Sequence, residues 1–179
     1  MVERLRNYRQ LTARVDELCA RIEGEFREGI ACRRGCDGCC RHLALFPVEA
    51  AALAAALAEA PVGLAAEIRE RARAAAEDGP CPLLKDGACL LYEARPLICR
   101  THGLPLLGRR DGERFIDYCP LNFQGLESLP ASAVIDLETL NATLSAVNRL
   151  FVKESGGDEA RAEERLSIAR TLREDVGVF

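Results

Sequence analysis

The feature that most constrains this chain is a run of four cysteines within nine residues. Cys32, Cys36, Cys39 and Cys40 are separated by three, two and no intervening residues. A two-residue gap lets one turn direct both sulfurs at a single centre, and a three-residue gap places two thiols on one face of a helical turn. Adjacent side chains diverge, so we expect Cys40 to serve a different centre, or a different metal of a cluster, from Cys39. The run therefore predicts half of a metal-binding apparatus and not a self-contained site.

The other half of the array lies further along the chain and supplies four more thiols. Its members are Cys81, Cys89, Cys99 and Cys119. Eight thiols can fill two four-cysteine sites, or one such site with four sulfurs to spare, and the sequence leaves the number of centres and the grouping open. His42 and His102 are additional imidazole donors near the array, although eight cysteines do not require them as ligands. Cys19 lies alone on an apolar helical stripe, where we expect a small buried side chain.

Cationic and aromatic side chains lie between the later cysteines. Arg95 and Arg100 flank Cys99, and Tyr92 precedes them in the same stretch. A zinc ion or a 4Fe–4S cluster held by four thiolates carries two net negative charges, which neighbouring guanidinium groups offset. We therefore expect Arg95, Arg100 and Tyr92 to lie around the metal-bound sulfurs and to support them without binding the metal.

Length and charge restrict the class of protein. A chain of 179 residues buries roughly 70% of its unfolded surface, so it has a core without disulfide staples. The net charge of −4 and the pI near 5.4 offer no basic surface for nucleic acid. The N-terminus lacks the apolar segment of a signal peptide, and no later run is apolar enough to span a membrane. We expect a cytoplasmic protein whose cysteines bind metal, because disulfides are rare in a reducing cytosol.

Apolar periodicity predicts a mainly α protein that forms a single helical domain over residues 1–179. Apolar residues at three- and four-residue steps predict helices over about 3–26, 47–60, 64–78, 132–153 and 158–174. The expected architecture is an irregular, cysteine-rich metal-binding core at residues 30–123 with flanking helices in 1–29 and 131–179. The sequence does not define an oligomeric state.

Residues 79–123 differ in amino-acid composition from the helical segments. They are rich in glycine, proline and Asp-Gly turn signals, which predict short, irregular structure with at most one or two β-hairpins. One hairpin is expected to pair 104–107 with 114–118, and a single helical turn is expected near 92–96. Metal binding would then organise a region that has little apolar core of its own, so losing the metal should loosen the middle of the protein.

The sequence around the cysteines resembles a known family. The matching segments are Cys32 to Cys40, Cys81-Pro82-Leu83-Leu84, Gly87-Ala88-Cys89, Leu91 to Arg100 and Cys119-Pro120. They are similar to the YkgJ-type cysteine-cluster proteins, whose zinc- or iron-chelating domain is named CxxCxxCC. The first gap of the run is three residues here instead of the two in that name. The resemblance implies a metal centre of zinc or of iron, often as an iron–sulfur cluster such as 4Fe–4S.

Three functions are compatible with this array. In the first, an iron–sulfur cluster or zinc makes the chain a redox, electron-transfer or metal-handling protein, because it has more thiols than one structural ion needs. In the second, closed four-cysteine zinc sites shape a surface for a protein partner. In the third, the chain is a metal-dependent enzyme. Flagellin lysine N-methylases are similar over the cysteine region, but the sequence has no glycine-rich turn for S-adenosylmethionine and no other catalytic motif.

Overall fold

The protein is mainly α-helical, as the apolar periodicity predicts. The computed structural model describes residues 3–33, 35–76 and 78–173. The α-helices are α1 (Arg6–Glu25), α2 (Pro47–Glu59), α3 (Val62–Ala74), α4 (Leu97–Thr101), α5 (Leu137–Glu154), α6 (Glu159–Glu163) and α7 (Ile168–Arg173). The strands are β1 (Ala44–Leu45), β2 (Leu84–Lys85), β3 (Ala88–Cys89), β4 (Leu106–Arg110), β5 (Glu113–Asp117), β6 (Ile135–Asp136) and β7 (Leu166–Ser167). Within those ranges, no helix combines the length and the apolar character that crossing a bilayer would take.

Helix α2 connects the two apolar cores of the protein because it is buried on more than one side. Val48 and Ala51 belong to a core that also contains side chains of α1, α4 and α5. Leu53 and Leu57 belong to a second core, which α2 shares with α3 and α7. The alanine run of this helix therefore reflects close packing, since small side chains let neighbouring elements approach on both sides.

Helix α1 buries one stripe and holds the lone cysteine there. Val15, Cys19 and Ile22 are buried, at the three- and four-residue steps that define one helical face. The Cys19 thiol donates to the backbone carbonyl of Arg100, 3.5 Å away. Burial, followed by the charges of nearby carboxylates, raises the pKa of Cys19 to about 11. Cys19 is therefore a neutral core side chain, as its position on the stripe indicates.

The predicted hairpin is present, with a tighter turn than expected because its first strand continues to Arg110. Strands β4 and β5 pair from Leu106 opposite Asp117 to Arg110 opposite Glu113. Strand β6 adds to the other edge of β4 in parallel. The stretch before α5 is thus a strand where a helix was predicted from residue 132. Asp136 ends this strand and caps α5 by accepting from the backbone N–H of Thr139 at 2.8 Å, so the helix begins at Leu137.

The prediction of one helix over 158–174 is wrong, because tertiary pairing interrupts it. Helix α6 ends at Glu163, and β7 then pairs antiparallel with β1. Helix α7 follows at once, and His42 accepts the backbone N–H of Ala169 in its first turn at 3.0 Å. Leu166 and Leu172, which share the expected helical stripe, are both buried by the strand and the second helix. Glu174 lies outside the described residues.

Candidate metal centre

Backbone contacts bring the two halves of the cysteine array together. The N–H of Gly35 donates to the carbonyl of Gly87 at 3.1 Å, and the N–H of Cys81 donates to the carbonyl of Cys40 at 3.3 Å. Gly87 has a φ of +70° in the β2–β3 turn, and a Cβ there would lie 2.9 Å from the Cα of Gly35. Glycine is therefore needed at residue 87, both for the turn and for the approach of the 32–40 loop.

Four thiols form what we call the inner group. Its members are Cys40, Cys81, Cys89 and Cys99. All four are partly buried. Burial, followed by the charges of Cys81 and Cys89, raises the pKa of Cys99 to about 12. Burial and then the neighbouring Cys39, Cys81 and Cys89 raise the pKa of Cys40 to about 11. These thiols are thus close enough to oppose one another's ionisation, and in the metal-free protein Cys40 and Cys99 are neutral at pH 7.

The remaining four array cysteines form a second neighbourhood, the outer group. Its members are Cys32, Cys36, Cys39 and Cys119. Cys32, Cys36 and Cys39 are exposed, whereas Cys119 is partly buried. Burial raises the pKa of Cys32, a hydrogen bond from Asn122 lowers it, and the other three thiols of the group raise it further. Cys39 and Cys40 are consecutive, so the two groups meet at one peptide bond.

Asn122 fixes the outer group, and no sequence pattern singled it out. This side chain is buried, with 1% of its surface exposed. Its Oδ1 accepts from the N–H of Ala31 at 2.8 Å, and its Nδ2 donates to the carbonyl of Gly103 at 2.7 Å and to the sulfur of Cys32 at 3.3 Å. A Cβ on Gly103 would lie 2.9 Å from the same sulfur. Asn122 therefore holds the loop that carries Cys32 against the segment that follows α4.

Two arginines lie beside the inner group. Arg71 of α3 donates from Nε to the carbonyl of Pro82 at 3.0 Å and from Nη2 to the carbonyl of Leu84. Burial raises the pKa of Cys81, and the charge of Arg71 opposes that rise. Arg95 stacks over the ring of Tyr92, with Cζ 3.5 Å from the ring centroid. Burial raises the pKa of Cys89, and the charge of Arg95 opposes that rise. Sequence reasoning identified Arg95 but missed Arg71, because its helix is remote from the cysteines in the chain.

Arg100 has a different position from Arg95. Its guanidinium donates from Nε to the carbonyl of Arg95 at 2.8 Å and from Nη2 to the carbonyl of Glu93 at 2.7 Å. It also pairs with Asp16 of α1, and 7% of its side-chain surface is exposed. Arg100 therefore joins the stretch before α4 to α1, whereas Tyr92 is 54% exposed and serves as the surface on which Arg95 rests.

The two histidines contact backbone groups near the array. Nδ1 of His42 lies 2.9 Å from the carbonyl of Ala76, and Nε2 accepts from the N–H of Ala169. Ligation by His42 would therefore cost one of these two hydrogen bonds. His102 is hydrogen-bonded to the backbone of Cys39, and burial lowers its pKa. A neutral His102 thus supports the residue at which the two groups meet.

A buried carboxylate positions the helix that carries Cys99. Glu49 is 5% exposed, and its two oxygens accept from the N–H of Phe46 at 3.1 Å and of Leu97 at 2.9 Å. Burial raises the pKa of Glu49, although both hydrogen bonds favour the ionised form. The first turns of α2 and α4 are thereby tied to one side chain, which fixes the helix of Cys99 against α2 and the first core.

The two groups are neighbourhoods of thiols and not finished coordination sites. In the part of the chain that the structure describes, no three cysteine, histidine or carboxylate side chains are arranged so that they could hold a metal ion. The metal-binding core that the sequence predicts is thus not visible as a preformed cage. The donor set nevertheless fits a thiophilic metal, because each group gathers thiols and two arginines lie beside the inner group.

Comparison with known proteins identifies the family. The model of the CxxCxxCC family, described as "Putative zinc- or iron-chelating domain", matches residues 31–120, which is half of the chain. The protein therefore belongs to this family and is a member of a metal-chelating class. The comparisons with curated proteins and with solved structures found no significant match.

Proposed function

We propose that the chain is a metalloprotein with two adjacent four-thiolate centres, one at the outer group and one at the inner group. The observation that carries this proposal is the division of the eight cysteines between two neighbourhoods. Cys36, Cys39 and Cys119 oppose the ionisation of Cys32, and Cys40, Cys81 and Cys89 oppose that of Cys99. Four thiolates complete a tetrahedral zinc site or hold an iron–sulfur cluster. When bound, the metal supplies either a fixed structural charge or a redox couple. Cys39 and Cys40 would serve different centres, since adjacent side chains diverge.

We favour a redox or electron-transfer role in the cytoplasm, with iron–sulfur clusters as the cofactor. The two apolar cores already give the protein a fold, so eight thiols exceed what structural support requires. Three exposed cysteines in the outer group give an exchange partner access to that centre, while the inner group is shielded. Electrons or metal would thus enter at the outer group and pass across the Cys39–Cys40 peptide, where the Cα atoms are about 3.8 Å apart.

The deciding experiment is anaerobic purification followed by metal analysis, acid-labile sulfide determination and an absorption spectrum. We expect iron and sulfide with a broad visible absorption that bleaches on reduction. A colourless protein with stoichiometric zinc, no iron and no sulfide would refute the iron–sulfur cofactor while leaving the two centres intact.

The division into two centres has its own test. Cys36→Ser should remove the metal of the outer group, and Cys89→Ser should remove the metal of the inner group, each leaving about half of the wild-type content. Cys19→Ser is the matched control and should retain all of it, because Cys19 is enclosed in the first core. If both array variants lose all metal, a single centre is the better description.

One observation favours the second candidate function, a zinc protein that presents a surface to a protein partner. Tyr118, Leu121 and Leu126 are large apolar side chains with 38%, 56% and 50% of their surface exposed, and all lie within seven residues of Cys119. Exposed apolar side chains next to a closed metal site suit protein binding. A zinc-loaded protein without any reversible redox transition would favour this reading.

A further inference from the structure

Arg95 carries a buried hydrogen-bond donor that has no acceptor. Its Nε is inaccessible to solvent and lacks a hydrogen-bond partner in the described ranges. Buried polar hydrogens in folded proteins are nearly always paired, so an unpaired one calls for a specific explanation, such as a neighbouring atom that becomes a strong acceptor only when metal is bound. The guanidinium is also held in place, because it stacks over the Tyr92 ring at 3.5 Å.

Two sulfurs lie close enough to Arg95 for its charge to affect their ionisation, those of Cys89 and Cys19. The Cys19 thiol keeps its proton and donates it to the carbonyl of Arg100, and a neutral sulfur is a weak acceptor. Cys89 belongs to the inner group, where metal binding converts the thiol into a thiolate. A thiolate accepts a charge-assisted hydrogen bond from a guanidinium. Cys89 is therefore the better acceptor once metal is bound.

We propose that Arg95 is a positioning residue of the inner centre, whose Nε–H donates to the metal-bound sulfur of Cys89. This inference rests on the proposed function and adds a specific donor to it. Arg71 does not replace Arg95, because its Nε and Nη2 are already bonded to the carbonyls of Pro82 and Leu84. The guanidinium is required, since it stacks over the Tyr92 ring while it offers an Nε–H that lysine lacks.

The test compares Arg95→Met and Arg95→Lys with the wild-type protein as purified with its metal. The readout is the rate at which metal is lost to excess EDTA, followed in two phases. Loss of a hydrogen bond to a metal ligand weakens metal binding by about 10- to 100-fold, so we expect half of the metal to leave about tenfold faster or more in both variants. The other half, at the outer group, should leave at the wild-type rate.

Arg110→Met is the matched control. Arg110 also lies over an aromatic ring, with Cζ 5.0 Å from the centroid of Phe115, but it is in the β4–β5 hairpin and away from the inner group. We expect wild-type release from this variant and from Cys19→Ala. A second readout is the sulfur-to-metal charge-transfer absorption, which should move to longer wavelength in Arg95→Met because the thiolate loses a stabilising hydrogen bond.

The outcomes separate this inference from the proposed function. If Arg95→Met loses metal at the wild-type rate, the role of Arg95 is overturned while the proposed function stands. The same holds if the metal of both groups leaves faster by the same factor, because that result indicates general loosening of the protein. Faster release from Cys19→Ala overturns the choice of Cys89 as acceptor. A wild-type protein that holds no metal overturns the proposed function and this inference with it. Arg95→Lys retains the charge and the alkyl stem, so it remains informative if Arg95→Met fails to fold.

Discussion

At the scale of single residues, buried polar side chains hold the cysteine-bearing segments in place. Asn122 and Glu49 are both almost fully buried, and each accepts or donates hydrogen bonds across segments that are distant in the chain. A buried polar group that loses its partner costs about 1–3 kcal/mol. These two side chains therefore tie the cysteine-bearing segments to distant parts of the chain.

Replacement of Asn122 by alanine should lower the free energy of unfolding by about 1–3 kcal/mol. The reason is that the N–H of Ala31 and the carbonyl of Gly103 lose their partner in a buried place. Urea denaturation of the metal-loaded protein measures the effect. Gln124→Ala is the control, because this exposed amide makes one hydrogen bond to the carbonyl of Pro120. Equal stability of the two variants would contradict the role assigned to Asn122.

Metal binding should release protons, because the inner thiols are neutral beforehand. The pKa of Cys40 is raised to about 11 and that of Cys99 to about 12, chiefly by burial, whereas metal binds the thiolate. Both pKa values lie above neutral pH, so raising the pH from 6 to 8 should strengthen binding and lowering it should release metal. Calorimetric zinc titrations of the metal-free protein in buffers of different ionisation enthalpy give the proton count. We expect about four protons to be released for each zinc ion that binds. Release of fewer than about two protons would contradict the statement that the inner thiols are neutral before binding.

At the scale of elements, the array depends on the β2–β3 hairpin reaching the 32–40 loop. The two pieces meet at Gly35 and Gly87, where a Cβ on Gly87 would lie 2.9 Å from the Cα of Gly35. The hairpin also presents Cys89 from its second strand, while Cys81 precedes its first strand. Correct placement of the inner thiols therefore requires the turn between β2 and β3.

Gly87→Ala should destabilise the metal-loaded protein by about 1–2 kcal/mol or more, since a left-handed φ alone costs an alanine about that much. The new Cβ would also push against Gly35. Gly63→Ala in α3 is the matched control: nothing lies within 4 Å of its Cβ position, and alanine in a helix gains up to about 1 kcal/mol over glycine. Urea denaturation should thus move in opposite directions for the two variants. If Gly87→Ala left the free energy of unfolding unchanged, the loop and the hairpin would not need to meet.

The elements also show where sequence reasoning works. Helices α1, α2 and α3 and the β4–β5 hairpin follow from local periodicity and turn residues, within a few positions at their ends. The start of α5 and the split between α6 and α7 do not, because β6 pairs with β4 and β7 pairs with β1. Those partners are far away in the chain, so local patterns carry no signal for them. The same holds for Arg71 and Asn122, whose roles exist only through tertiary contacts.

At the scale of the whole molecule, the two halves of the cysteine array differ in their contact with the apolar cores. The cores contain side chains of α1, α2, α3, α4, α5 and α7, and Cys81 and Cys89 of the inner group pack against the second one. In contrast, no described residue between 31 and 44 is buried, so hydrogen bonds of the backbone, of Asn122 and of His42, together with the proposed metal, hold that loop. A structural metal contributes roughly 10–16 kcal/mol in small zinc domains, and here that contribution would act mainly on the loop and on the segment of the later cysteines.

Removing the metal should therefore open the loop while most of the helix remains. We expect chelation to leave the far-UV circular dichroism largely unchanged and to make trypsin cut after the exposed Arg33 or Arg41, with protection restored when metal is returned. Arg149 is the internal control, since it is also exposed to solvent but lies within α5 and should resist cleavage in both states. Loss of the helical signal together with cleavage at Arg149 would contradict the idea that only the loop depends on the metal. That result would mean that the cores cannot persist without the metal and that metal binding and folding are a single event.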